Sequence, residues 1–259
     1  MTVNGGLTGR VALVTGGGRG IGRAISLGLA ADGADVAVNY ARDEESALKT
    51  VTEIEQIGRR ARAYQASVDS WEECQHLVSE VLSDFGQIGI FVNNAGIASR
   101  GKTVVHTDPE EFERVMRIHA FAPHYLAKLI LPDMREQERG DIVVISSVAT
   151  LQNAAGGAPY NMGKAALDAL AITLANEERK NNIHVNIVAP GLVDTEMGRR
   201  LVKGAAGVDD ITKLNPMMPF GRVCQPEDVA NVVRFLVSER AGYLTGERLN
   251  VHGGGGGFG

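Results

Sequence analysis

The chain has 259 residues, 44% of them hydrophobic and 22% charged, and a formal net charge of −5. That balance excludes a fibrous or intrinsically disordered chain, and with no Lys/Arg block to offset the negative charge it argues against nucleic acid as a partner. Two cysteines, Cys74 and Cys224, form no C-x-x-C pair and no metal spacing with the six histidines. No metal site is expected, the usage fits a reducing compartment, and both thiols are expected to be buried as small hydrophobes.

From the start of the chain, Met1 to Leu7 carry neither a basic n-region nor an apolar h-region, and apolar runs such as Ile142–Ile145 are far shorter than a bilayer span. A cytoplasmic protein without membrane contact is expected. The chain then alternates β-branched runs with helical patterns, as in a parallel sheet covered by helices on both faces. Strands are predicted at Arg10–Thr15, Asp35–Asn39, Arg62–Ala66, Ile88–Val92, Asp141–Ser146, His184–Val188 and Arg248–Val251, and their unbroken apolar character implies burial on both faces. Helices are predicted at Ile21–Asp32, Glu44–Ile57, Trp71–Phe85, Pro109–Arg117, Phe121–Met134, Pro159–Lys180 and Pro226–Ser238. With no repeat and no low-complexity linker, residues 1–259 read as one α/β domain, and the Gly253–Gly257 run reads as a fraying end.

The first strand runs into Thr15-Gly16-Gly17-Gly18-Arg19-Gly20-Ile21-Gly22, and a helix follows at once. Glycines there permit a tight turn and let backbone N–H groups approach a pyrophosphate at the helix N-terminus. Such a loop is also compatible with a plain turn or with another nucleotide-bearing cofactor such as S-adenosylmethionine. A dinucleotide is favoured because the loop joins a strand to a helix near the chain start and a second strand follows. That strand ends Val38-Asn39-Tyr40-Ala41-Arg42, without the acid that binds a ribose 2′-hydroxyl. Arg42 and Arg19 instead suit a 2′-phosphate, which favours NADP(H) over NAD(H). The competing reading pairs Arg42 with Asp43 or Glu45 at the surface.

Tyr160 and Lys164 lie one helical turn apart on a predicted helix and share a face. A phenol ionises at about pH 10, so acid/base work near neutrality needs a shift of roughly three units, and an adjacent ammonium favours the phenolate and supplies much of that bias. Read blandly, the pair is a packed tyrosine beside a solvated lysine. Ser147 follows the strand Asp141–Ser146 at its carboxyl end, where ligands of open parallel sheets bind, and can hydrogen-bond a substrate oxygen. Turn capping is the alternative for Ser147, and Ser146 competes for its role.

Taken together, Thr15-Gly-x-x-x-Gly20-Ile21-Gly22, Asn93-Asn94-Ala95-Gly96, Ser147, Tyr160-x-x-x-Lys164 and Pro190-Gly191 resemble the motifs of the short-chain dehydrogenase/reductase family, in its order and over essentially the whole chain. The resemblance implies a seven-stranded Rossmann sheet, a homotetramer built through the two long helices near Phe121–Met134 and Pro159–Lys180, and hydride exchange between a nicotinamide cofactor and a carbonyl or alcohol. It implies cofactor contacts from Gly16, Gly18, Arg19, Gly20, Ile21, Asn39, Tyr40 and Arg42. It implies further contacts from Val68 and Asp69 by the adenine, from Asn94, Ala95 and Gly96 beneath the adenosine, and from Tyr160 and Lys164. Pro190, Gly191, Val193 and Thr195 belong near the nicotinamide, and a mobile substrate lid over about residues 192–219.

Two positions depart from the family pattern. His119 stands where a catalytic asparagine is usual; it retains a backbone carbonyl, and its ring suggests either an altered pH profile or a simple polar core residue. His252 stands where aspartate is common, a position associated with subunit contacts. The overall pattern resembles 3-oxoacyl-acyl-carrier-protein reductases, including Pro219-Phe-Gly221-Arg222, but an acidic carrier docks on a basic rim. Here Arg135-Glu136-Gln137-Glu138-Arg139 and Glu177-Glu178-Arg179-Lys180 are of mixed charge. A free apolar ketone or thioester therefore stands beside a carrier-bound one, with alcohol, sugar or hydroxysteroid dehydrogenases and a non-catalytic cofactor sensor as other readings. Leu192, Met197, Leu201, Met217 and Met218 offer an apolar lid or ordinary core.

Overall fold

A computed structural model describes residues 6–254; the chain start to Gly5 and positions 255–257 of the glycine run lie outside the described residues. Seven parallel strands form one sheet in the order β3-β2-β1-β4-β5-β6-β7. They are β1 (Val11–Val14), β2 (Asp35–Tyr40), β3 (Ala61–Gln65), β4 (Ile90–Asn93), β5 (Gly140–Ile145), β6 (Ile183–Pro190) and β7 (Arg248–Val251). The helices are α1 (Gly20–Ala31), α2 (Glu44–Gln56), α3 (Trp71–Phe85), α4 (Pro109–Met116), α5 (Ala122–Met134), α6 (Ala149–Gln152), α7 (Ala158–Glu178), α8 (Glu196–Ala206) and α9 (Pro226–Leu236). The chain is thus a single Rossmann-like α/β domain, and the predicted strands and helices fall within a few residues of these bounds.

Side-chain alternation along each strand divides the core in two. Leu13, Phe91, Ile142 and Val144 pack beneath α3, α5 and α7, with Leu126, Ile130, Leu167 and Leu174. Ala12, Val14, Ile90, Val92, Val143 and Ile145 pack on the other face, beneath α1 and α9, with Ile25, Leu29, Val229 and Val233. The central strands β1, β4 and β5 are buried along their whole length, as expected, whereas the edge strands are not: only Tyr64 is buried in β3 and no residue of β7 is, because each lacks a neighbouring strand on one side. Cys74 joins the first layer, whereas Cys224 is only half-buried, short of the expected burial.

Two segments differ from expectation. The helices predicted at Pro109–Arg117 and Phe121–Met134 are not separated by a break but joined through a π turn, Arg117–Phe121. Pro123 has no N–H to give the His119 carbonyl, and its ring crowds that carbonyl in regular α geometry. The helix widens by one residue instead, with the Ala122 N–H bonding the Arg117 carbonyl. The stretch after Thr195, for which no helix was predicted, contains α8, and Val202, Ile211, Leu214 and Val223 form a small core there.

Sequence reasoning did not anticipate a buried ion cluster at the amino edge of the sheet. Asp141, at 1% exposure, lies 2.8 Å from Arg10 and 2.9 Å from Arg139, and Arg10 also donates to the Gly89 carbonyl at 2.8 Å. Three chain segments are tied there, and removing the carboxylate would strand two arginines. Asp141→Ala is expected to lower the free energy of unfolding by about 3 kcal/mol, read from urea denaturation. A loss below about 1 kcal/mol would mean that the arginines are rehydrated without cost.

Candidate active site

The order of strands reverses at β1 and β4, and ligands of open α/β sheets bind outside the carboxyl ends at such a point. The loop after β1 holds Gly16 at φ +60° and Gly20 at φ +53°, conformations that side-chain-bearing residues rarely adopt. The Thr15 hydroxyl accepts from the N–H groups of Asn94 and Ala95, each at 3.0 Å, and the Asn94 amide donates to the Thr15 carbonyl at 2.9 Å. These bonds lock the two switch-point loops together. Asn39 and Tyr40 serve structure with their side chains. The Asn39 amide donates to the Ala66 carbonyl at 3.0 Å and accepts from the Gly16 N–H, and Tyr40 lies in the core with its hydroxyl on Glu44. Val68 is buried, and Asp69 accepts from the Ser67 hydroxyl at 2.5 Å.

The residues present fit a dinucleotide. Arg19, the residue before α1, gives no side-chain cap and the first turn holds no acid, so the positive end of the helix is left unneutralised for an anion. Thr195 closes the cleft from the far side; a Cβ built on Gly20 would lie 3.3 Å from its methyl group. Pro190 ends β6, Gly191 packs against His252, and Val193 is buried beside Cys224. Arg42 is exposed at the end of β2 and forms no ion pair among the described residues, contrary to the surface-pair reading. Arg19 is the paired one, 2.8 Å from Glu196 of α8 and 3.7 Å from Asp43.

Ser147, Tyr160 and Lys164 converge past the end of β5. The Lys164 side chain, 4% exposed, donates to the Ile145 carbonyl at 2.7 Å, and its nitrogen lies 5.8 Å from the centre of the Tyr160 ring. Burial depresses the ammonium pKa to about 8, while Asp168 opposes that shift. The expected lowering of the phenol does not occur in this arrangement: burial raises the Tyr160 pKa, only partly opposed by the Ser147 hydroxyl. The Ser147 oxygen does cap a turn, accepting from the Ala149 N–H at 3.1 Å, and its proton stays available for donation. Ser146 is buried, with its hydroxyl unpaired by protein atoms.

His119 sits in the π turn at 1% exposure, its ring edge-on to Tyr160 with centroids 5.3 Å apart. Its Nε2 lies 2.8 Å from the Ile97 carbonyl. Two glycines make room for the histidine, Gly96 for its ring and Gly163 for its Cβ. A Cβ at Gly96 would come 2.7 Å from His119 Cε1, and one at Gly163 would come 2.8 Å from its Cβ. Burial, assisted by the nearby Lys164 charge, lowers its pKa to about 3, so it stays neutral near pH 7 and adds no ionisation there. Of the two readings of His119, its burial fits the polar core residue.

The structure adds residues that sequence reasoning missed. Asp168, one turn beyond Lys164, lies 3.4 Å from Arg248 of β7, and Arg248 donates to the Ser147 carbonyl at 2.8 Å. The helical spacing of Tyr160, Lys164 and Asp168 was a usable signal; the arginine partner from the last strand had none.

A doubly covered parallel sheet, an uncapped helix start at its switch point and a Ser-Tyr-Lys cluster beside it define a nucleotide-binding oxidoreductase of Rossmann type. The chain belongs to the short-chain dehydrogenase/reductase family. The family model described as enoyl-(acyl carrier protein) reductase matches residues 16–255. The 3-oxoacyl-[acyl-carrier-protein] reductase of Synechocystis sp. is 37% identical over 249 residues, covering 96% of this chain and 97% of the relative. Among solved structures, the angucycline C-6 ketoreductase LanV with bound NADP aligns with a TM-score of 0.86 at 35% identity, covering 96% of each chain. NAD+-bound xylitol dehydrogenase aligns with a TM-score of 0.89 at 30% identity, covering 96% of this chain and 99% of that one.

The fit of His119 is testable by pairing substitutions. Gly96→Ala, whose added Cβ would meet only ring atoms of His119, should cost about 1–3 kcal/mol of stability in the native chain and far less in a His119→Ala background, where the ring is gone. A second outcome follows from linkage. The folded pKa of His119 lies below its unfolded value, so its contribution to stability is present above about pH 6.5 and is lost as pH falls toward 3. The stability difference between the native chain and His119→Asn should shrink by about 1.4 kcal/mol per pH unit across that window in urea titrations. A flat difference would mean that the imidazole protonates within the fold.

Proposed function

We propose that this oxidoreductase is an NADP(H)-dependent ketoreductase that reduces an apolar ketone, a 3-oxoacyl thioester foremost, to a secondary alcohol. The observation that carries the reading is the convergence of Ser147, Tyr160 and buried Lys164 beside the uncapped start of α1. A bound nicotinamide dinucleotide supplies the hydride; the chain supplies the proton and the binding. Tyr160, held protonated by burial, is the acid that gives its proton to the developing alkoxide. Ser147 orients the carbonyl oxygen through its free hydroxyl proton. Lys164, with its pKa near 8, is protonated at neutrality yet able to return a proton to the phenolate, and its ammonium suits the ribose hydroxyls. His119 takes part from behind Tyr160, as a neutral ring.

NADP(H) is preferred to NAD(H) because Arg42 is free of carboxylates and no acid ends β2. Exposed pairs such as Arg19–Glu196 contribute only about 0–1 kcal/mol, so a 2′-phosphate can displace Glu196. Both cofactors occur among the structural relatives, with NADP in the ketoreductase LanV and NAD+ in xylitol dehydrogenase. An apolar substrate suits the segment 192–219 as a lid, where Met197, Leu201 and Met217 are exposed. The Synechocystis relative is named for a carrier-protein substrate. The segments Arg135–Arg139 and Glu177–Lys180 of this chain are of mixed charge, with Arg135 bonded to Glu178, which favours a free ketone or thioester over a carrier-bound one. Exposed Phe121, Met162 and Ile172 support assembly through α5 and α7, for which a homotetramer is the family expectation. No helix among the described residues is long and apolar enough to cross a membrane.

Oxidation of NADPH and NADH against ketones, diketones and 3-oxoacyl thioesters tests the reading directly; a preference for sugars or steroids would move the substrate class. Tyr160→Phe should reduce turnover at least roughly a hundredfold while NADPH still binds, and unchanged turnover would remove the acid from the scheme. Arg42→Ala should raise the KM for NADPH roughly tenfold and leave that for NADH unaltered. Equal changes for the two would make Arg42 a bystander.

A further inference from the structure

We propose that Asp168 and Arg248 form a positioning pair that controls the charge of Lys164 and the placement of Ser147 without touching substrate. The inference rests on the functional reading above for its consequence, but its geometry stands separately. Tyr160, Lys164 and Asp168 follow one another at single-turn intervals along α7, on one face. Asp168 Oδ2 lies 3.2 Å from the Thr150 hydroxyl and 3.4 Å from Arg248 Nη1. From β7, Arg248 Nη2 donates to the Ser147 carbonyl at 2.8 Å and to the Thr150 hydroxyl at 3.0 Å. The Thr150 hydroxyl also lies 3.1 Å from the Ser147 carbonyl, so its single proton serves either that carbonyl or Asp168. Both charged side chains are only 20% exposed. One network thus joins the last strand, the catalytic helix and the backbone of the serine.

The chemistry of Lys164 explains what such a network is for. Its ammonium is buried against one carbonyl, with no carboxylate in direct contact. The groups facing it are Tyr160 on its own helix, neutral His119 on the π turn, the Ile145 carbonyl of β5, and Asp168, whose charge opposes the depression caused by burial. A carboxylate one turn away keeps the lysine protonated near neutrality without trapping it in an ion pair. Arg248 anchors that carboxylate and moderates its field, and the same guanidinium fixes the carbonyl of Ser147. The two side chains therefore push the lysine in opposite directions: loss of Asp168 disfavours the ammonium, whereas loss of Arg248 leaves Asp168 unopposed and favours it.

That opposition distinguishes control of charge from mere support of the fold. The Lys164 pKa is to be read by NMR of the full-length protein labelled with 13C at lysine Cε, the signal being assigned by its loss in Lys164→Arg. Asp168→Asn is expected to lower the pKa by about half a unit or more, and Arg248→Met to raise it. Arg248→Lys, which retains the charge but loses the forked contact with Ser147, should leave the pKa in place and lower kcat several-fold more than it changes KM. In NADPH oxidation, the alkaline limb of the pH profile should move with the lysine, and Asp168→Glu should restore it in part. Unchanged pKa values, or shifts of the same sign in Asp168→Asn and Arg248→Met, would overturn the proposal. If Arg248→Met fails to fold, Asp168→Asn decides the electrostatic part and Arg248→Lys the positional part. Opposite pKa shifts in a protein that turns over no carbonyl would instead sustain the pair and overturn the ketoreductase reading.

Discussion

Lys164 donates from a site 4% exposed to water to the carbonyl that ends β5, at 2.7 Å. Taking an ammonium out of water costs several kcal/mol, and one neutral acceptor returns only part of it. The rest of the site can be understood as accommodation of that charge. Carboxylate charge is supplied at a distance by Asp168, and the aromatic neighbour that touches the cluster, His119, is kept neutral. The bond also joins α7 to the sheet at the point where the chain leaves β5, so Tyr160 and Ser147 inherit their positions from it.

On the opposite side of the cleft the same economy appears in uncharged form. Thr15, Asn39 and Asn94 bond the backbone of the glycine loop and of the loop after β4, whereas no side chain caps the start of α1. A polar side chain at the end of a strand was readable as a cofactor ligand, but Asn39 and Tyr40 are turned to structure. The carboxyl end of a buried strand must first pair its own neighbours before it can serve a ligand. Arg42 escapes that demand because it lies just beyond β2, whereas Arg19 is held by Glu196 of α8. The first turn of α8 is therefore electrostatically tied to the cofactor loop.

His119 illustrates how an unusual residue is accommodated collectively. The imidazole needs the volume at Gly96 and the His119 Cβ that at Gly163, and the ring bonds the Ile97 carbonyl in return. Read singly, the histidine suggested either a titrating group or a polar core residue, and Gly163 suggested nothing. In the folded chain the two are one packing solution, and the burial that makes the ring fit is also what removes its charge near neutrality.

The sheet, its helices and the strand-end location of the glycine loop, Ser147 and Tyr160 were legible from apolar runs, turn residues and helical spacing, because those signals are local in the chain. Local signals also determined that Tyr160, Lys164 and Asp168 share one face of α7. The tertiary structure alone decided which groups were committed to the backbone, that the Tyr160 pKa rises rather than falls, and that Arg248 reaches Ser147 from β7. It also decided that α4 and α5 run together through a π turn, and that Asp141 gathers Arg10 and Arg139 at the far edge of the sheet. Each of these depends on burial or on partners distant in sequence. Hydration and charge are set by what the whole chain places around a group, not by its neighbours in the sequence.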